Sequence, residues 1–203
     1  MDENQISYEE IDREIEERSA KRRGRLPHEI FDFAELILIV LAILLLATTF
    51  LFRQTVVDGP SMDPTLQHGE RLIISNFFYT PKANDIIVFQ ADDDLVEESR
   101  GQLVKNQAVV KRVIATEGQT VRVSGGTVYV DGVPLEEPYV LIDGPDERPT
   151  MSEITVPPGH LFVMGDHRNR SLDSRWFGVV DERTVLGKVL IRVFPFSAFG
   201  GVQ

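Results

Sequence analysis

Two residues of this chain could do chemistry together. Ser61 stands in Val56-Val57-Asp58-Gly59-Pro60-Ser61-Met62-Asp63-Pro64-Thr65-Leu66, and Lys111 interrupts the apolar run Val109-Val110-Lys111-Arg112-Val113-Ile114. A serine hydroxyl is a weak nucleophile until a base takes its proton, and a lysine can serve only if its ammonium is desolvated enough to lose its own. A lysine with pKa near 10.4 is roughly 0.04% free base at pH 7, whereas one lowered to about 8 is roughly 9% free base. Apolar strand packing can produce that shift. Prolines at 60 and 64 stiffen the backbone on both sides of Ser61, so its hydroxyl is expected on a rigid turn. The serine lies neither in Gly-x-Ser-x-Gly, since Asp63 takes the last position, nor in Ser-x-x-Lys, since Pro64 does. The pair therefore suggests a serine/lysine hydrolase.

A third segment, Gly165-Asp166-His167-Arg168-Asn169-Arg170-Ser171-Leu172-Asp173-Ser174-Arg175, is dense in hydroxyls and charge and follows the apolar run Leu161–Met164. It reads as a loop framing a site from a rigid edge. The four histidines show no metal-ligand spacing, and no metal or cofactor is expected.

The elements that must position these residues follow from patterning. Beyond residue 53 the chain has short β-type runs at Arg71–Ser75, Asp85–Phe89, Ala108–Ile114, Thr120–Val123, Thr127–Val130, His160–Met164 and Val185–Phe194. Turn signals separate them, and Ser124-Gly125-Gly126 predicts a hairpin. The fold class is mainly β. Within Val109–Ile114, Lys111 and Arg112 point to opposite faces, so one of them must face inward or line a cleft. Asp92-Asp93-Asp94 and Glu97-Glu98 read as a solvated loop, lacking the spacing of a calcium loop.

From Leu36 to Phe52 run seventeen residues without a charge, about 26 Å as a helix. The run has no polar face, and a charge-rich stretch of 35 residues precedes it, which disfavours both a core helix and a cleavable secretory leader. We expect a transmembrane helix over 34–53, after a tail over 1–33 and before a domain over 54–203. The tail's first twenty residues hold eight acidic ones and are expected to be flexible or weakly helical. The basic cluster Lys21–Arg25 lies just before the helix, so the N-terminus should stay in the cytoplasm and the domain face outside.

The formal net charge is −11, of which residues 36–203 carry −6, with no basic stripe. That argues against nucleic acid as a partner. Cysteine is absent, which excludes disulfides, thiolate zinc sites and cysteine nucleophiles.

Three ordered blocks resemble those of bacterial type I signal peptidases. They are Gly59-x-Ser61-Met62-x-Pro64-Thr65-Leu66, Lys111-Arg112-Val113-Ile114-Ala115 and Gly165-Asp166-x-Arg168-x-x-Ser171-x-Asp173-Ser174-Arg175, with Asp85-Ile86-Ile87-Val88-Phe89 as a weaker fourth. The resemblance implies a β-rich catalytic core with a small β insert over 118–158. It makes Ser61 the nucleophile, Lys111 the general base, Ser171 the hydroxyl that orients the lysine amine, and Asp173 and Arg175 a structural ion pair. It also implies exported pre-proteins as substrates, cut after a small-x-small motif, at a lipid bilayer. Val57, Met62, Leu66, Val88 and Val110 would line pockets for alanine-sized side chains. The chain departs from the family's pattern at His167, where many members have Asn, and at Thr116-Glu117, where Leu-Pro is frequent. At Gly59 some members place an oxyanion-donating serine, which leaves the backbone N–H groups of Ser61 and Gly59 as candidates. Phe77-Phe78-Tyr79 and Trp176-Phe177 could serve either the membrane interface or core packing. A self-cleaving repressor of the same serine/lysine chemistry would carry a DNA-binding head in place of an anchor.

Overall fold

The computed structural model describes residues 8–91, 96–97, 102–103, 107–144 and 150–202; the acidic run 92–94 and Glu98 lie outside them. The chain divides into two units, Met1–Phe50 and Leu51–Gln203.

The first unit holds one helix, α1 (Tyr8–Leu51), which starts well before the expected membrane segment. Its charged half is built from good helix formers, and the Arg18 guanidinium donates to Glu14 at 2.9 Å across one helical turn. Leu36, Ile37, Leu38, Ile39, Val40 and Leu41 are all exposed, around the whole circumference of the helix. The side chains of Lys21–Arg25 and of residues 47, 49 and 50 lie outside the description. Among the described residues no helix is long and apolar enough to cross a membrane.

The second unit is mainly β. Its strands are β1 (Arg53–Val56), β2 (Arg71–Ser75), β3 (Ile86–Gln90), β4 (Val96–Glu97), β5 (Gln102–Leu103), β6 (Ala108–Ala115), β7 (Thr120–Ser124), β8 (Thr127–Val130), β9 (Val133–Pro134), β10 (Met151–Thr155), β11 (His160–Met164), β12 (Val180–Asp181), β13 (Val185–Phe194) and β14 (Gly200–Gly201). An eight-stranded sheet runs β1-β2-β13-β3-β6-β11-β12, with β14 against β13. A four-stranded sheet, β10-β7-β8-β9, falls inside residues 118–158, and β4 and β5 form a two-stranded ribbon. The β7–β8 hairpin turns at Gly125 and Gly126, whose φ values of +54° and +78° suit a tight primed turn.

Strand β6 lies inside the sheet, pairing Lys111 with Ile87 of β3 and Arg112 with Met164 of β11. Both of its faces are covered. On one, Val88 and Val110 pack with Val57, Met62, Leu66, Leu72, Ile74, Ile86 and Val189; on the other, Ile87, Phe89 and Val113 pack with Leu161, Val163, Val180 and Val185. A third cluster joins Ile114, Ala115, Phe162 and Met164 to Val121, Val123 and Val128 of the smaller sheet. Each such side chain contributes about 1.5–3 kcal/mol on full burial. With apolar clusters on both faces, Lys111 and Arg112 are both buried, at 4% and 2% exposure, where the sequence pattern required only one to face inward.

Candidate active site

The segment after β1 is a closed loop. Val57 and Glu70 meet at its base, the Val57 N–H donating to the Glu70 carbonyl at 2.9 Å and the Gly69 N–H to the Val57 carbonyl at 2.9 Å. Arg192 of β13 ties the loop down by donating to both Glu70 oxygens, at 2.8 and 2.9 Å, and to the Thr65 carbonyl at 3.3 Å. Met62 and Leu66 sink into the core, and Ser61 is left at the turn between Pro60 and Met62. Gly59 has a φ of +86°, a conformation that a side chain disfavours.

Lys111 reaches from β6 so that its Nζ lies 2.7 Å from Ser61 Oγ. The two residues are fifty positions apart in sequence, and the sheet brings them into direct contact. Only 4% of Lys111 is exposed, so water reaches its amine poorly.

The segment after β11 forms the third wall. The His167 N–H donates to the Ser61 carbonyl at 3.1 Å, so this loop grips the peptide of Ser61 itself. Gly165 permits the approach: a Cβ built there would stand 2.4 Å from the Ser61 carbonyl oxygen and 2.2 Å from Ser171 Oγ. Ser171 therefore adjoins the Ser61 peptide across Gly165. Its hydroxyl is buried and, among the described residues, makes no hydrogen bond, the bond to the lysine amine included.

Asp173 and Arg175 form a buried pair beneath this wall. Arg175 donates to both Asp173 oxygens at 2.7 Å, and to the Arg168 carbonyl at 2.8 Å, while the Gly165 N–H donates to Asp173 at 3.0 Å. Burial pushes the Asp173 carboxyl up, but Arg175, the Gly165 N–H and the charge of Lys111 outweigh it and hold the carboxyl below its usual range.

The structure adds residues to which sequence reasoning gave no role. Arg112 forks onto both oxygens of Asp166, at 2.8 and 2.7 Å, with its guanidinium 3.8 Å from the Tyr139 ring centre. Asp166 also accepts from the Thr65 hydroxyl at 2.5 Å, which links the loop of Ser61 to β6. Burial, followed by the neighbouring Glu137, pushes the Tyr139 phenol up to about 12. Arg168 forks onto Glu137 at 2.8 and 2.5 Å. The charge density of residues 165–175 signalled such a network, but its partners at 112, 137 and 139 are distant in sequence.

The other expected residues fall as follows. Val57, Met62, Leu66, Val88 and Val110 sit together in one apolar cluster at 0–8% exposure. The Gly59 N–H donates to His68 Nδ1 at 3.2 Å, whereas the Ser61 N–H has no hydrogen-bond partner among the described residues. Phe77, Phe78 and Trp176 are exposed, and Tyr79 and Phe177 are partly buried against the core. No group of three or more metal-ligating side chains occurs among the described residues.

The domain is mainly β and presses a serine hydroxyl against a buried amine at 2.7 Å. The family model described as signal peptidase, peptidase S26, matches residues 30–194, and the chain belongs to that family. Among its relatives is the "Probable signal peptidase I-1" of Synechocystis sp., 40% identical over 170 residues, which are 81% of this chain and 83% of that one. Signal peptidase I of Bacillus licheniformis is 34% identical over 90% of this chain and 96% of its own. Signal peptidase IB of Staphylococcus aureus is 32% identical over 84% and 93%. The chain is a signal peptidase-type hydrolase.

Proposed function

We propose that the protein is a membrane-anchored serine endopeptidase that removes N-terminal signal peptides from exported pre-proteins after a small-x-small motif. The observation that carries this reading is the 2.7 Å separation of Lys111 Nζ and Ser61 Oγ in a chain of the signal peptidase family. Neutral Lys111 takes the Ser61 proton as Oγ attacks the scissile carbonyl, and the resulting ammonium returns that proton to the leaving amine. An acyl-enzyme remains on Ser61. Lys111 then activates a water, which breaks the ester and restores the serine hydroxyl.

The Ser61 N–H suits the developing oxyanion, being unengaged among the described residues, and Gly59 can join it once His68 releases its N–H. Ser171 orients the amine as substrate closes the site. Asp173 with Arg175 holds the wall from below. The cluster of Val57, Met62, Leu66, Val88 and Val110 forms the apolar floor on which alanine-sized side chains rest. Residues 34–53 anchor the chain, with 1–33 in the cytoplasm and 54–203 outside. The apolar side chains exposed along Leu36–Leu46 support a lipid surrounding. An anchored enzyme meets a membrane-tethered substrate at raised local concentration.

The test is incubation of purified protein with a pre-protein carrying a small-x-small site. Cleavage at that site by wild type, and none by Ser61→Ala, is expected; an equal rate in Ser61→Ala excludes the reading.

A further inference from the structure

His167 is buried at 2% exposure, yet the chemistry above uses only its backbone N–H. Its ring stands between two carboxylates. Nε2 lies 2.7 Å from Asp143 Oδ1, and Nδ1 lies 3.9 Å from Asp63 Oδ2. Nδ1 is a buried ring nitrogen without a hydrogen-bond partner among the described residues, and Asp63 is two residues beyond Ser61.

The peptide that carries the ring is held from both sides. Leu141 donates to the Asp166 carbonyl at 2.9 Å and accepts from the Arg168 N–H at 3.0 Å, while the intervening His167 N–H donates to the Ser61 carbonyl at 3.1 Å. Backbone and ring therefore connect the same two segments, the nucleophile loop at 61–63 and the segment at 141–143. The remaining charges nearby are already engaged: Arg170 pairs with Asp143 at 3.0 Å, Asp166 with Arg112, and Arg168 with Glu137.

We propose that the Asp143–His167–Asp63 contact is a positioning device for Ser61, in which the His167 ring fixes the nucleophile loop against the segment at 141–143. This deepens the peptidase reading and rests on it. The ring touches no reacting atom. It acts by packing against the loop and facing Asp63 at 3.9 Å without a hydrogen bond, and so limits the angle at which Ser61 meets Lys111 and the scissile carbonyl. A buried ring of this kind could be mere packing, and an apolar isostere distinguishes the two. His167→Leu keeps the bulk and removes both ring nitrogens; His167→Gln keeps one amide donor that can reach Asp143; Asp63→Asn removes the charge at a side chain that is 30% exposed.

The experiment uses full-length protein in detergent micelles, with each variant's melting temperature recorded beside its steady-state cleavage constants. A small serine-reactive acylating probe gives the rate of Ser61 labelling independently of any pre-protein. His167→Leu and Asp63→Asn should each lower kcat and the labelling rate by about tenfold with KM within about twofold, as expected for a misplaced group whose ground-state binding is untouched. The double variant should fall no further than either single one, and His167→Gln, which keeps the Asp143 contact but not the nitrogen facing Asp63, should stay as impaired as His167→Leu. Wild-type labelling rates in folded His167→Leu or in Asp63→Asn, losses that multiply in the double variant, or a loss confined to KM would each overturn the inference. Should His167→Leu fail to fold, Asp63→Asn and His167→Gln decide by the same readings. A wild type that labels at Ser61 but cuts no pre-protein would count against the peptidase reading alone, since the labelling comparison stands by itself.

Discussion

Replacing Gly165 by alanine is the smallest change that reaches Ser61 without replacing either Ser61 or Lys111. The new methyl carbon would begin 2.4 Å from the Ser61 carbonyl oxygen, 2.2 Å from Ser171 Oγ and 2.5 Å from Ser171 Cβ. Unstrained contacts between such atoms sit near 3.5 Å, so the Ser61 peptide must withdraw by about 1 Å. Rotation of Ser171 moves its Oγ but not its Cβ, and the Ser61 carbonyl is itself hydrogen-bonded to the His167 N–H, so the backbone must give at both places. A shift of that size between reacting groups costs about 100-fold in rate, while overpacking of this kind costs about 1–3 kcal/mol of stability. For a domain of this size that is a drop of roughly 2–12 °C in Tm. Steady-state cleavage of a pre-protein, measured below the lowered melting temperature, should therefore show kcat reduced by about two orders of magnitude in a folded enzyme. Wild-type kcat in folded Gly165→Ala would refute the claim that residue 165 must lack a side chain for Ser61 to be in place.

Ser171→Ala removes a buried hydroxyl that makes no hydrogen bond, so its melting temperature should match or exceed that of wild type, while kcat falls about tenfold if the hydroxyl orients the amine; unchanged turnover would take Ser171 out of the site. Protease added to intact spheroplasts should digest residues 54–203 and spare the tail, and the reverse pattern would invert the proposed orientation. The Asp173 carboxyl is held below its usual range, so its contribution to stability is present above the unfolded-state pKa of about 3.9 and is lost as pH falls through the lower folded value. Asp173→Asn should therefore be destabilised by about 3–5 kcal/mol at neutral pH, because it strands a buried Arg175, and its deficit relative to wild type should shrink in acid; a deficit independent of pH in urea unfolding would contradict this.

Much of the domain was legible because its strands are short, β-branched and punctuated by turn residues: Arg71–Ser75, Thr127–Val130, His160–Met164 and Val185–Phe194 have the ends that patterning gives them. The contacts of Ser61 with Lys111 and of Asp173 with Arg175 were legible for a different reason, through the resemblance of the blocks that carry them to those of signal peptidases. The charged half of α1 was not, because the acidic N-terminal stretch has no apolar stripe to reveal its periodicity. Nor was the joint burial of Lys111 and Arg112, which depends on both faces of β6 being covered. The contact between Asp143 and His167 joins residues 24 apart in sequence across a backbone bridge, and no local pattern announces it.

The central claim is that Lys111 acts as a base and not as a fixed charge, and turnover by Lys111→Arg tests it most directly. A guanidinium keeps the positive charge beside Ser61 but cannot lose its proton near neutral pH. The expected result is that folded Lys111→Arg cuts a pre-protein no faster than Lys111→Ala, with both at background. Substantial cleavage by Lys111→Arg would contradict the account.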